Sequence, residues 1–366
     1  MKSLIIGIVA AFAMSLLAGE AGAENSNSKA INADKAAASS FIAPYLDKPT
    51  PFPVTTPLTK SARGKKIAVM DCGTPICALL IQVMMPAAAI TGIEIVRIQT
   101  GFGADKVAEG FDTVLASKFD GVFVLGLPGP LWERALAKLN AAKIPVIASG
   151  VTDVDLSKVG MAEAGVISSK KNAELLAAYV VARGDPSDVV FYETPELGFT
   201  TVMAKSFKDK LAQLCPQCSC RIATIPVTTF GTSSPSVIVN DLQSHPSTKM
   251  AVFPIGEQAL GLPSAMKTAG LEVDTLGASL DPQALKQIQD GKMTAGLGVD
   301  LAILVWTGVD TLARLMTGQA AEPAAVNDEL VVQFLTAKDL KGDMSHGWSG
   351  YPDFVDRFKA VWANAK

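Results

Sequence analysis

The chain has 366 residues, 49% of them apolar and 18% charged, with 32 basic against 35 acidic side chains for a formal charge of -3. That composition describes a globular protein with ample core and length for about two domains, and it excludes intrinsic disorder. Without a net positive field nothing recruits a phosphate backbone, so no nucleic-acid partner is expected, and only two histidines, His245 and His346, are available to metal or imidazole chemistry.

At the start, Lys2 precedes the apolar run LIIGIVAAFAMSLLAG, and Ala21-Gly22-Ala23 reads as a small-residue cleavage site. The run from Leu4 to Gly19 is 16 residues long, short of the roughly 20 needed to cross hydrocarbon. Residues 1–23 are therefore read as an export signal cleaved near Ala23, and no cysteine follows it to carry a lipid. Residues 24–64 form an arm, first rich in Ala and Ser and then in proline, with four prolines between Pro49 and Pro57. The proline-rich part is extended, because proline breaks a helix.

From Lys66 the pattern changes. The runs KIAVMD, IEIVRIQ, GVFVLG and PVIASG are strand-like, and the segments between them have helical period. After a polar interval the alternation resumes with KKNAELLAAYVVARG as helix and DVVFYET as strand, and continues to MTAGLGV and the helix LAILVWTGVDTLARLMTG. Parallel strands need a crossover of a dozen or so residues, which a helix supplies, so the chain is α/β with two doubly wound, Rossmann-like lobes. Ligands of such sheets bind beyond the carboxyl ends of the strands.

Export directs attention to the five cysteines, since disulfides persist outside the cytosol. Cys72 and Cys77 in DCGTPIC form one expected pair. Cys215 and Cys218 in CPQCSC are the expected second, with the choice among them and Cys220 open. Zinc at these cysteines is the sharper alternative, disfavoured because no histidine is near, and no metal is expected.

The opening GKKIAVMD, the block ADKVAEGFDTVLASKFDGVFVLG followed by ALAKLNAAKIPVIASG, the helix ALGLPSAMKTAGL, and LGASLDPQALKQIQDGKMTAGLGVD carry a resemblance. In order and spacing they resemble the type I periplasmic solute-binding proteins of sugar-type ABC importers, the ribose-binding-protein-like family, over roughly residues 65–340. The resemblance implies the periplasmic binding protein type I fold, with three hinge crossings and a ligand enclosed between lobes. It places the first lobe at 65–152 plus 299–322 and the second at 153–298 plus 323–366. It further implies a monomer in the periplasm whose partners are a small molecule and an inner-membrane permease with its ATPase, and no enzymatic activity or cofactor. A sensory receptor reporting to a membrane partner is an alternative function; a thiol-dependent enzyme using Cys72 or Cys77 is another, lacking an obvious base.

Carried across position by position, the family's sugar-clamping residues are lost. An Asn-Pro-Phe-Phe loop becomes Thr74-Pro75-Ile76-Cys77, and an Asp-Arg pair becomes Ser149-Gly150. An arginine falls near Thr201, an asparagine near Ile255 or Gly256, an aspartate at Ser279 and a glutamine near Val299. A sugar left without partners for its hydroxyls pays about 1–3 kcal/mol for each one buried. A cleft lined by Pro75, Ile76, Leu127, Phe199, Ile255 and Leu280 with few hydroxyls suits an aromatic or otherwise apolar solute, a sugar in a divergent pocket being the alternative. If the correspondence near Gly256 is shifted by one or two residues, Glu193, Glu257 and Asp300 are the polar residues expected to reach the ligand, and Phe102, between glycines in QTGFGAD, is a candidate to stack on it.

Overall fold

A computed structural model describes residues 35–49, 52–183 and 187–365. The expected export signal lies outside them.

The first lobe is built on β1 (Lys66–Asp71), β2 (Glu94–Gln99), β3 (Gly121–Leu125), β4 (Val146–Ser149) and β5 (Met161–Glu163). They run parallel in the order β2-β1-β3-β4-β5. The central strands are buried along almost their whole length, whereas edge strand β2 alternates towards solvent. Continuous apolar runs in the sequence thus belong to strands covered on both faces, as parallel sheets require. The covers are α2 (Pro75–Thr91), α3 (Ala104–Ala116) and α4 (Glu133–Ala141). Proline at the first turn and the Thr74 hydroxyl, accepting from the Cys77 N–H, start α2; left-handed Gly92 ends it.

The second lobe holds β6 (Asp188–Glu193), β7 (Ser219–Thr224), β8 (Met250–Phe253), β9 (Asp274–Ala278), β10 (Ala295–Val299) and β11 (Val332–Leu335), in the order β11-β10-β9-β8-β6-β7. Only β11 is antiparallel. Its helices are α5 (Val166–Arg183), α6 (Gly198–Leu214), α7 (Ser234–Ser244), α8 (Leu262–Ala269) and α9 (Pro282–Gln289).

The chain passes between lobes three times: after Glu163, after Val299, and between α11 (Pro323–Val326) and β11. Between the last two passages, α10 (Leu301–Met316) packs on α2, β3, β4 and β5 of the first lobe. The lobes are those expected, but their boundaries shift. Because β5 pairs with β4, residues 153–163 belong to the first lobe rather than the second. The end of the chain also returns to it: Phe358 and Trp362 of α12 (Phe354–Trp362) pack on Trp306 of α10.

The arm contains more structure than an extended linker. Residues 35–42 form helix α1, which buries Ala38 and Ile42. Its Phe41 ring sits 4.3 Å from the Lys171 ammonium of α5 and 4.5 Å from that of Lys210 in α6, both second-lobe helices. Farther on, Phe52 packs edge-on to Tyr351 and Phe358, and Leu58 donates its N–H to the Val361 carbonyl, on the first lobe's side. The arm is thus a strap with one end on each lobe.

Candidate functional site

The carboxyl ends of both sheets face one another across a cleft with about 740 Å³ of unfilled space, part of it open to solvent. Loops after β1, β3 and β4 supply one wall through Thr74, Gly126, Ser149 and Gly150, and Ile76, Leu80, Leu301 and Leu304 extend it. The other wall carries Leu197, Phe199, Met203, Ile255 and Ser279. The first turns of α5 close the hinge side with Ser168, Ser169 and Asn172. None of the described residues lining the cleft is charged. Its polar side-chain groups are hydroxyls and one carboxamide, set among aliphatic and aromatic surface.

The walls touch. Gly126 and Gly150 are left-handed, at φ 62° and 71°, and a Cβ on either would lie within 3.8 Å of Leu197 or Phe199 on the opposite lobe. Ser279 and Ala164, also on the cleft, hold positive φ without being glycine. Such strained backbone collects at ligand sites and hinges.

Both expected disulfides form. Cys72–Cys77 ties the end of β1 to the first turn of α2, and both sulfurs belong to residues lining the cleft. Cys215–Cys218 lies at the end of α6, and Cys220 is the free thiol. Burial raises the Cys220 thiol to about 11, which keeps it protonated. Asp71, Cys72 and Cys77 are close enough to share a metal ion, but the disulfide takes up both thiolates.

Of the residues singled out in the sequence, Thr74, Ile76, Ser149, Gly150, Phe199, Ile255, Ser279 and Val299 lie on the cleft with the Cys72–Cys77 bridge. The others sit elsewhere. Pro75 is exposed at the first turn of α2, and Thr201 is exposed on α6. Leu127 is wholly buried, its carbonyl accepting from the Trp132 indole. Leu280 packs into the second-lobe core against Gly277 and Gly296, while Gly256 is buried against Ala284. Phe102 packs against apolar residues of both lobes rather than lining the cleft.

Glu257 is buried at the cleft's edge with no hydrogen-bond partner on either carboxylate oxygen. Burial, reinforced by Asp281, raises its pKa to about 7, and the backbone N–H of Ile76 on the facing lobe, near but outside hydrogen-bond geometry, partly offsets the rise. Asp300 caps α10 through the Ile303 N–H and accepts from Ser349 and Gly350, so it belongs to the hinge. The cleft residues missed in the sequence, Ser168, Ser169 and Asn172 on α5 and Leu301 and Leu304 on α10, lie on helices that leave the hinge rather than on strand-end loops. The polar triplet at the head of α5 was the available signal.

No family model matches the chain, and no curated protein matches it. Solved structures do match. A glucose-galactose binding protein from Geobacillus stearothermophilus superposes with a TM-score of 0.65 at 14% identity, covering 76% of this chain and 99% of that one. The periplasmic binding protein component of the arabinose ABC transporter from Shewanella sp. ANA-3, bound to α- and β-L-arabinofuranose, does so at 0.64 and 15%, over 81% and 98%. An ABC transporter solute-binding protein from Agrobacterium vitis with bound allitol gives 0.63 and 18%, over 76% and 97%. These likenesses show the fold: two lobes of the type I periplasmic binding protein architecture.

Proposed function

We propose that the protein captures a small neutral solute between its lobes by hinge closure, in the periplasm, and presents the closed form to an ABC-type permease and its ATPase in the inner membrane. The fold supports the general reading, since the similar structures named above are solute-binding components of such transporters or sugar-binding proteins. The mechanism is a population shift: a ligand contacting both walls stabilises the closed arrangement by its differential affinity for it. No step requires a covalent intermediate or a cofactor.

The ligand class rests on one observation, the uncharged lining of the cleft. The matched structures include sugar binders, and a sugar is the competing occupant. Against it, six polar side chains on the cleft must serve all of its hydroxyls, and Ser168 already donates its hydroxyl to Asp328. Thr74 is likewise engaged, with the Cys77 N–H. An aromatic or terpenoid-like molecule bearing one or two polar groups makes fewer demands.

Mass spectrometry of small molecules copurified with the native, never-unfolded protein tests this. An apolar or aromatic compound at stoichiometric level is expected; a pentose or hexose in its place overturns the ligand class. A thermal-shift panel of aromatic acids, steroids, nucleosides and sugars gives the same discrimination, because a ligand of the native state raises its apparent stability.

A further inference from the structure

Each of the three hinge passages carries a buried carboxylate, and the three meet around one small cavity. Glu163 ends β5 at the first passage, Asp300 opens α10 at the second, and Asp328 follows α11 at the third. The cavity has about 320 Å³ of empty space, part of it open to solvent, and Pro53 of the strap is among the residues lining it. Its other ionisable lining residue is Glu329, so every charged group facing the cavity is acidic. The nearest cation along α10, Arg314, is committed to Asp310 and Glu322. The carboxylates are too far apart to share a metal ion, since the one such grouping among the described residues is at Asp71, Cys72 and Cys77.

The three acids are not equally provided for. Asp328 accepts from the N–H groups of Gly165 and Ser168 and from the Ser168 hydroxyl, which stitches the third passage to the first. Asp300 accepts from Ile303, Ser349 and Gly350. Glu163 is 4% exposed and its Oε1 has no partner, while the Thr307 hydroxyl beside the same cavity is also unpartnered. A carboxylate buried beside other carboxylates with no cation is held as the neutral acid. Burial, then the charge of Asp328, push the Glu163 carboxyl well above the usual glutamate range.

The position is mechanical. Ala164, next to Glu163, and Asp328 both hold left-handed backbone, at φ 49° and 55°. Those are residues through which the passages turn, and their strain persists only while the surrounding contacts hold it.

We propose that the hinge is proton-operated: the lobes keep the arrangement seen here with Glu163 neutral, and its ionisation, the proton leaving to solvent, drives them apart by demanding hydrogen-bond partners that its buried Oε1 lacks in this arrangement. Closure and solute retention are favoured in acid, opening and release as pH rises. The device acts on the equilibrium between open and closed forms and is independent of which solute the cleft holds.

Small-angle scattering from the ligand-free full-length mature protein, from about pH 5 to about pH 9, reads the opening directly. The radius of gyration is expected to rise with pH in the wild type, the rise to be lost in Glu163→Gln, and a change at an exposed acid between α8 and β9, Glu272→Gln, to follow the wild type. A Glu163→Gln protein that still expands, a Glu272→Gln protein that does not, or a wild type that never expands overturns the proposal. A carboxyl-carbon NMR titration of Glu163 in the unmutated protein guards against a variant that fails to fold. Its midpoint must coincide with the expansion, and a midpoint in the ordinary glutamate range refutes the device.

Discussion

Helix α10 carries two buried polar clusters built on opposite terms. Towards its carboxyl end, Arg314 is 2% exposed and donates to Asp310 at 2.6 Å and to the Thr56 carbonyl, with Glu322 at 3.7 Å. Asp310 also accepts from the Trp362 indole, and Glu322 accepts the N–H groups of Thr55 and Thr56. At its amino end the hinge cavity gathers Glu163, Asp300 and Asp328 without any cation. The first cluster sets one cation between two carboxylates that also accept hydrogen bonds from the strap and from Trp362, and so ties strap, helix and chain terminus together. The second leaves a carboxyl oxygen and a hydroxyl unpaired where the molecule has to bend. Charge matching thus separates the part built to hold still from the part built to move.

Removing the cation of the matched cluster is the harshest test of that contrast. Arg314→Ala strands two buried carboxylates and is expected to cost about 3–5 kcal/mol in chemical denaturation, with the strap at Thr55–Thr56 losing protection from hydrogen exchange. A loss below about 1 kcal/mol, the worth of an exposed pair, erases the distinction between the clusters.

The unmatched cluster is expected to show itself in pH. Burial raises Asp300 from its ordinary value of 3.8 to about 6, against the hydrogen bonds from Ser349, Ile303 and Gly350. A raised acid binds its proton more tightly when folded, so its contribution is complete below pH 3.8 and is lost as pH climbs through about 6, by about 3 kcal/mol. Exposed acids work the other way: Asp155, held at about 2 by Ser157 and then Lys158, gives stability present above its ordinary 3.8 and lost as pH falls towards about 2. Melting temperature is therefore expected to peak between about pH 4 and about pH 6. A plateau extending to pH 8 contradicts the unmatched hinge.

Smaller effects sharpen the picture. Phe41→Ala removes the ring between the Lys171 and Lys210 ammoniums and is expected to cost about 1 kcal/mol, with limited proteolysis cutting at α1 first. Protease resistance equal to wild type means the strap is held by its first-lobe end alone. Thr307→Val replaces an unpartnered hydroxyl with an isosteric methyl and is expected to leave stability unchanged or raise it by up to about 1 kcal/mol. A clear loss reveals a hydrogen bond, direct or through water, in a cavity taken here to leave that hydroxyl alone.

Much of the fold is legible because it is written in runs. KIAVMD and GVFVLG announce strands buried on both faces, and the intervals between runs have the length of helical crossovers. Strand β5, at three residues, is too short to make a run, and the apolar stretch of β11 is interrupted by Gln333; the place of each follows from pairing with distant strands. That is why the first passage between lobes falls after Glu163 rather than near residue 152. The strand-end rule brings Thr74, Ser149, Ile255 and Ser279 to the lining of the cleft. It misplaces Leu127 and Leu280, since a shift of one residue at a strand end turns a side chain from cleft to core. Ser168, Ser169 and Asn172 are invisible to it because they come from a helix leaving the hinge.

The strap also imposes an order of assembly. Phe41 waits for Lys171 and Lys210, and Phe52 and Leu58 wait for Tyr351, Phe358 and Val361, at the far end of the chain. Contacts so distant in sequence form late, after the loops they close have been drawn in. The arm is among the last parts of the chain to find its seats, and a chain truncated before α12 leaves Phe52 without Phe358 and Leu58 without Val361.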